Sequence, residues 1–179
     1  ISSSGSFTPS TTGTFTFTYT FTNGNGCTNS DGRVVTVVNP IQSNAGPDLE
    51  ACIDAPNVQI NGTPVSGTWT GSFVSSTGNF NPTTAGTFPL VLSNGAGNCL
   101  TRDTMLFTVH PLPVISVGPD FSFCPSDAIV NFTGTPIGGT WAGTGITNTT
   151  NGTFDPSLAG VGSHTIVYTY TNPITTCLN

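Results

Sequence analysis

The chain repeats itself, and the repeat limits what it can fold into more than any other feature. Ala45-Gly46-Pro47-Asp48 returns as Val117-Gly118-Pro119-Asp120, 72 residues later. At the same offset Cys52 returns as Cys124 and Gly62-Thr63-Pro64 as Gly134-Thr135-Pro136. Gly67-Thr68-Trp69-Thr70-Gly71 returns as Gly139-Thr140-Trp141-Ala142-Gly143. Gly78-Asn79-Phe80-Asn81-Pro82 then matches Gly152-Thr153-Phe154-Asp155-Pro156, Ala85-Gly86 matches Ala159-Gly160, and Cys99 matches Cys177. The N-terminal stretch joins the series: Ile1-Ser2-Ser3-Ser4-Gly5-Ser6-Phe7 matches Val74 to Phe80, and Cys27 matches Cys99. The chain therefore divides into the C-terminal half of one repeat (1–40), a complete repeat (41–112) and a repeat lacking its last strand (113–179). Repeats of this length imply units stacked end to end as a rod. A start at Ile1 rather than Met is expected of a piece of something longer.

Within a repeat the elements read as about seven short strands. In the complete one they fall near Asp48–Ala51, Val58–Asn61, Thr68–Thr70, Phe73–Ser75, Gly78–Phe80, Thr87–Ser93 and Thr104–Val109. Gly, Pro and Asn punctuate them. Residues Thr14 to Phe21 alternate strictly between threonine and aromatic side chains, the pattern of a strand with one buried and one wet face. His164 to Tyr170 is its counterpart. No helix-period segment of useful length occurs. About 70 residues per unit, alternating strands and one central Trp predict an all-β fold of tandem immunoglobulin-like sandwiches, with Trp69 and Trp141 in their cores.

Composition narrows function by exclusion. Charged residues are 6% of the chain, against roughly 25% in ordinary domains. The only cations besides histidine are Arg33 and Arg102, too few to neutralise a phosphate backbone, so no nucleic-acid partner is expected. No apolar run reaches the length of a membrane span, so no membrane insertion is expected of this segment. No basic n-region with an apolar h-region is present.

Catalytic chemistry finds little support. His110 falls in a linker and His164 at the start of a strand, and neither recurs in the other repeat, so an enzyme is not expected. No Walker loop or metal triad is present, and no cofactor is expected. Asp48, Glu50 and Asp54, with Asp120 and Asp127 in the next repeat, are weak calcium candidates near unit junctions. Their spacing lacks an Asp-x-Asp loop, and Asp48 and Asp120 read equally as turn residues whose side chains accept backbone N–H groups. Asn61, Asn131, Asn148 and Asn151 begin N-x-Ser/Thr sequons of a kind common in an Asn- and Thr-rich chain. Asn39-Pro40 and His110-Pro111-Leu112-Pro113 hold the same repeat position and read as short, stiff linkers.

Gly-Pro-Asp, an early Cys, Gly-Thr-Pro, Gly-Thr-Trp, Phe-x-Pro, Ala-Gly and a late Cys together resemble the immunoglobulin-like or PKD-like repeats of giant Bacteroidota surface proteins. These include gliding-motility adhesins exported by the type IX system. The resemblance spans essentially the whole chain. It implies an extracellular, cell-surface stalk acting in adhesion or gliding, whose partners are neighbouring repeats and other copies alongside. A carbohydrate- or protein-binding module is the alternative. Asp103-Thr104-Met105 resembles the short motif at which these bacteria O-glycosylate exported proteins, which makes Thr104 a candidate sugar site.

Five cysteines occupy two repeat positions: Cys52 and Cys124 early, Cys27, Cys99 and Cys177 late. Their recurrence predicts disulfides. No Cys-x-x-Cys pair suggests a metal. Pairing inside repeats would give Cys52–Cys99 and Cys124–Cys177. The early and late turns, however, would lie at opposite ends of an immunoglobulin-like sandwich, which weighs against a bond within one repeat but leaves both pairings open. Cys52–Cys177, bridging consecutive repeats, is therefore preferred, with Cys27, Cys99 and Cys124 pairing outside the chain.

Overall fold

The alternating threonine and aromatic residues become strand β1 (Gly13–Thr22), which pairs antiparallel with β2 (Thr28–Val37) from Gly13↔Val37 to Thr22↔Thr28. In this computed structural model, which describes residues 1–2 and 4–179, the pair stands as a two-stranded hairpin. Ser3, the expected counterpart of Ser76, lies outside the described residues. Phe15 and Phe17 share one face and hold Phe7 at 5.3 and 4.8 Å between ring centres. Threonines line the other face, where Thr22 and Thr28 hydroxyls meet at 3.0 Å. Asn23 closes the turn by accepting the backbone N–H groups of Asn25 and Cys27 on its side-chain oxygen.

The middle repeat contributes β3 (Leu49–Cys52), β4 (Val58–Gln59), β5 (Thr68–Thr70), β6 (Asn79–Phe80), β7 (Gly86–Asn94) and β8 (Thr101–His110). Four of them form a sheet in the order β3-β8-β7-β5, and β4 pairs with β6 in a second. The first strand runs parallel to the last, Leu49↔Phe107 to Cys52↔His110, while the remaining pairs are antiparallel. The period of two in β7 and β8 sends Leu90, Leu92, Met105, Phe107 and Val109 into one core with Ala45, Ile60, Trp69 and Phe80. Phe80 and Phe107 stack at 4.1 Å. Gly78 recurs as Gly152 because each lies under its repeat's tryptophan at positive φ. A Cβ on Gly78 would come 2.6 Å from the Ile60 carbonyl oxygen, and one on Gly152 2.7 Å from Trp141 Nε1.

The strand expected over Phe73–Ser75 shrinks to a single bridge, Val74↔Phe80. Phe73 sits at φ 61, which breaks an extended run, and the Ser75 N–H turns back to the Asn79 carbonyl at 2.9 Å.

The third repeat contains β9 (Val130–Asn131), β10 (Thr140–Ala142), β11 (Ile146–Asn148), β12 (Thr153–Phe154), a four-residue helix α1 (Pro156–Ala159) and β13 (Val167–Thr169). Its sheets are β11-β12-β9 and β10-β13. Asp155 caps α1 by accepting the Ser157 N–H at 2.9 Å, and Pro156 supplies the preset φ of the first helical turn. Hydrogen bonding from the Ser157 hydroxyl holds the Asp155 carboxyl below its ordinary value. Trp141 lies against Tyr168 at 4.8 Å and Phe132 at 5.5 Å, and both tryptophans are buried.

Two sequence expectations change here. The alternating run from His164 to Tyr170 is strand only over Val167–Thr169. In the middle repeat the first half of β7 is held by β8 alone, and among the described residues no strand stands in that position of the third repeat. The repeat alignment also slips by two residues. The partner of Trp69 on β7 is Leu92 and that of Trp141 is Tyr168, so the counterpart of Gly86 is Gly162, not Gly160. Gly13, Gly86 and Gly162 share φ values of 149, 147 and 145, whereas Gly160 has φ 78 as it ends α1.

Candidate functional site

The junction between the middle and third repeats is where the sequence-predicted residues converge. β8 ends at His110, and the linker His110-Pro111-Leu112-Pro113 leads into the third repeat. Cys52, the last residue of β3, is in register with His110 and therefore stands at this end of the sheet. Cys99 lies two residues before the other end of β8, whose ten residues span about 30 Å at strand rise. A Cys52–Cys99 bond is out of reach for that reason.

Cys177 arrives from the other side. After β13 the chain folds into a tight turn in which the Asn172 N–H reaches the Cys177 carbonyl at 2.8 Å and Tyr170 exchanges backbone bonds with Asn179. This turn meets the linker, where Asn179 Nδ2 donates to the Pro113 carbonyl at 2.8 Å. Cys177 is fully buried there and is bonded to Cys52, with Cα atoms 5.6 Å apart and 125 residues between them in sequence. The middle repeat makes the same linker clip with a different residue, since Thr101 Oγ1 donates to the Ile41 carbonyl at 2.8 Å.

Along the two repeats, Asp48, Asp103 and Asp127 accept backbone N–H groups and do not converge on a cation. Asp48 Oδ1 accepts the Leu106 N–H at 2.8 Å, across to β8 and not within its own turn. Asp103 Oδ2 accepts the Ala45 N–H at 2.8 Å, and Asp127 Oδ2 accepts the Cys124 N–H at 2.7 Å. Glu50 Oε2 lies 2.9 Å from His110 Nε2. The calcium candidates Asp48, Glu50, Asp54, Asp120 and Asp127 are thus dispersed, and the described residues bring together no group of three or more His, Cys, Asp or Glu side chains suited to a metal. Placing Asp48 requires knowing that β3 and β8 are neighbours, which no local motif reveals.

Other sequence-predicted positions lie apart from the junction. His164 Nε2 contacts the Gly160 carbonyl at 3.1 Å. Thr104 is exposed on β8, opposite Val91 of β7. Cys27, Cys99 and Cys124 are exposed and unbonded, so the pairing Cys124–Cys177 does not form. Thiol titration of the unfolded, unreduced chain is expected to return three thiols, rising to five after reduction, with a Cys52–Cys177 peptide in the non-reducing digest. A Cys52–Cys99 peptide would overturn the pairing. No family model and no curated protein matches this chain.

Proposed function

We propose that the chain is a structural segment of an extracellular surface filament, a stalk of tandem immunoglobulin-like sandwiches that acts in adhesion or gliding motility. The disulfide Cys52–Cys177 carries this reading, because it ties two successive repeats at their junction instead of stapling one repeat internally. A second covalent strut beside a proline linker resists bending, which is what a load-bearing stalk needs and what a catalyst does not. The strand order β3-β8-β7-β5, with the first strand parallel to the last and β4–β6 opposite, supports the immunoglobulin-like assignment. A disulfide fits an oxidising, extracellular setting. By the same rule, early cysteine to the late cysteine of the following repeat, Cys27, Cys99 and Cys124 are placed to bond counterparts in adjoining repeats. Thr104 remains the proposed sugar site of such a surface protein, and intact-mass measurement of native material reads it directly.

Small-angle scattering before and after reduction tests the stalk reading. The oxidised chain is expected to give one narrow distance distribution that broadens on reduction as the linker alone governs the angle between repeats. Superimposable profiles in both states would remove the mechanical role of the bond.

A further inference from the structure

The clip between linker and late cysteine recurs with one geometry and two chemistries. In the middle repeat Thr101 Oγ1 donates to the Ile41 carbonyl at 2.8 Å, and in the third Asn179 Nδ2 donates to the Pro113 carbonyl at 2.8 Å. The two acceptors are 72 residues apart, the offset of the repeat, and each donor stands two positions after its late cysteine, Cys99 or Cys177. Because the donor is threonine in one repeat and asparagine in the other, matching residue types along the chain does not reveal the correspondence.

The middle repeat shows that the clip does not need the disulfide. Cys99 carries no bond, yet Thr101 holds Ile41. Ser43 reinforces it there, its N–H donating to Thr101 Oγ1 at 3.1 Å and its hydroxyl to the Thr101 carbonyl at 3.2 Å. The counterpart of Ser43 is Ile115, which has no hydroxyl, so the Asn179 side chain works without that support. The turn that carries Cys177 is otherwise closed on itself. Asn172 donates to the Cys177 carbonyl, Tyr170 and Asn179 exchange backbone bonds, and Thr171 bridges Leu178. Among the described residues, no hydrogen bond other than that of Asn179 ties 170–179 to the linker.

We infer that the residue two positions after each late cysteine is a positioning residue for the bond between repeats. Asn179 seats the Cys177 turn on the linker, near the end of β3 where Cys52 stands in register with His110. That contact raises the effective concentration of one thiol at the other before they join. Thr101 seats Cys99 in the same way for a cysteine of the repeat before it. This inference deepens the junction reading proposed above and rests on its Cys52–Cys177 bond.

The full chain is equilibrated with reduced and oxidised glutathione, quenched in acid and digested, and the Cys52–Cys177 peptide is quantified against its two reduced peptides. In that exchange the protein sulfurs are oxidised and join. One oxidised glutathione takes up their two electrons and two protons and leaves as two thiols. The ratio gives the effective concentration of Cys177 at Cys52. Asn179→Ala is expected to lower it about fivefold, the scale of a single hydrogen bond. Asn179→Asp keeps the shape without a donor when ionised and should fall at least as far. Asn179→Thr restores the donor type used by the middle repeat and should stay within about twofold of the parent. Asn179 is exposed, so unchanged circular dichroism is expected of all three reduced variants and separates seating from folding. Alanine and aspartate variants that match the parent, or a threonine variant as weak as the alanine one, overturn the assignment. The two tests fail separately: superimposable scattering profiles would remove the mechanical role and leave the seating intact, whereas an unmoved glutathione equilibrium would do the reverse.

Discussion

Stretched by its two ends, the oxidised chain is expected to release about 440 Å less contour length than the reduced chain, at ~3.5 Å for each of the 125 residues spanned by Cys52–Cys177. Tension entering at Ile1 reaches Cys52, crosses the sulfur–sulfur bond to Cys177 and leaves at Asn179. Everything from Ile53 to Thr176 is bypassed, including β4 to β8 and all strands of the third repeat. The loaded parts are the β1–β2 hairpin and β3, and β3 is attached to β8 by a parallel ladder of only four residues. With the bond open, the same tension pulls directly on β7 and β8 and unravels the core they share. The bond also restricts the unfolded chain: in the chain-entropy description a loop of 125 residues corresponds to about 5 kcal/mol. Single-molecule force spectroscopy measures the difference, and Cys177→Ser should reproduce the reduced trace without reductant. Equal contour lengths in the two redox states would show that the bond does not carry the load.

What the sequence discloses here is what depends on neighbours in sequence. The eight alternating residues from Thr14 to Phe21 lie inside β1, and the repeat of Gly78 as Gly152 reflects close contact with a tryptophan in both places. The four-residue helix α1 goes unread, because it is too short to show a helical period, although Asp155-Pro156-Ser157 is a cap followed by a first-turn proline. What stays hidden depends on neighbours in space. The strand pattern from His164 to Tyr170 is sound, yet half of it has no partner strand and is left unpaired. Asp48 reads as a turn residue until β3 is placed beside β8, when it becomes the acceptor for Leu106. Two cysteine pairings are open on the sequence, and the register of Cys52 with His110 closes one of them by setting Cys52 and Cys99 at opposite ends of β8.

Phe107→Ala is expected to cost the middle repeat about 3–5 kcal/mol, the range for deleting a fully buried aromatic ring. The ring is inaccessible to solvent, stacks on Phe80 at 4.1 Å and fills the space between the two sheets. Truncation removes its apolar burial and leaves a cavity walled by Phe80, Met105 and Val109, side chains fixed by strands that cannot collapse inward together. Leu106, one residue earlier, faces outward and is 43% exposed, so Leu106→Ala should cost about 1 kcal/mol or less. The contrast is a test of register, since a one-residue slip of β8 would exchange the two faces. Urea unfolding of the oxidised chain, read through Trp69 in a Trp141→Phe background, measures both variants against the same parent. Trp69 reports on this core because it belongs to it, whereas Trp141 reports on the third repeat. Comparable losses for the two substitutions would mean that β8 does not present Phe107 to the core, and the sandwich would fall with that register.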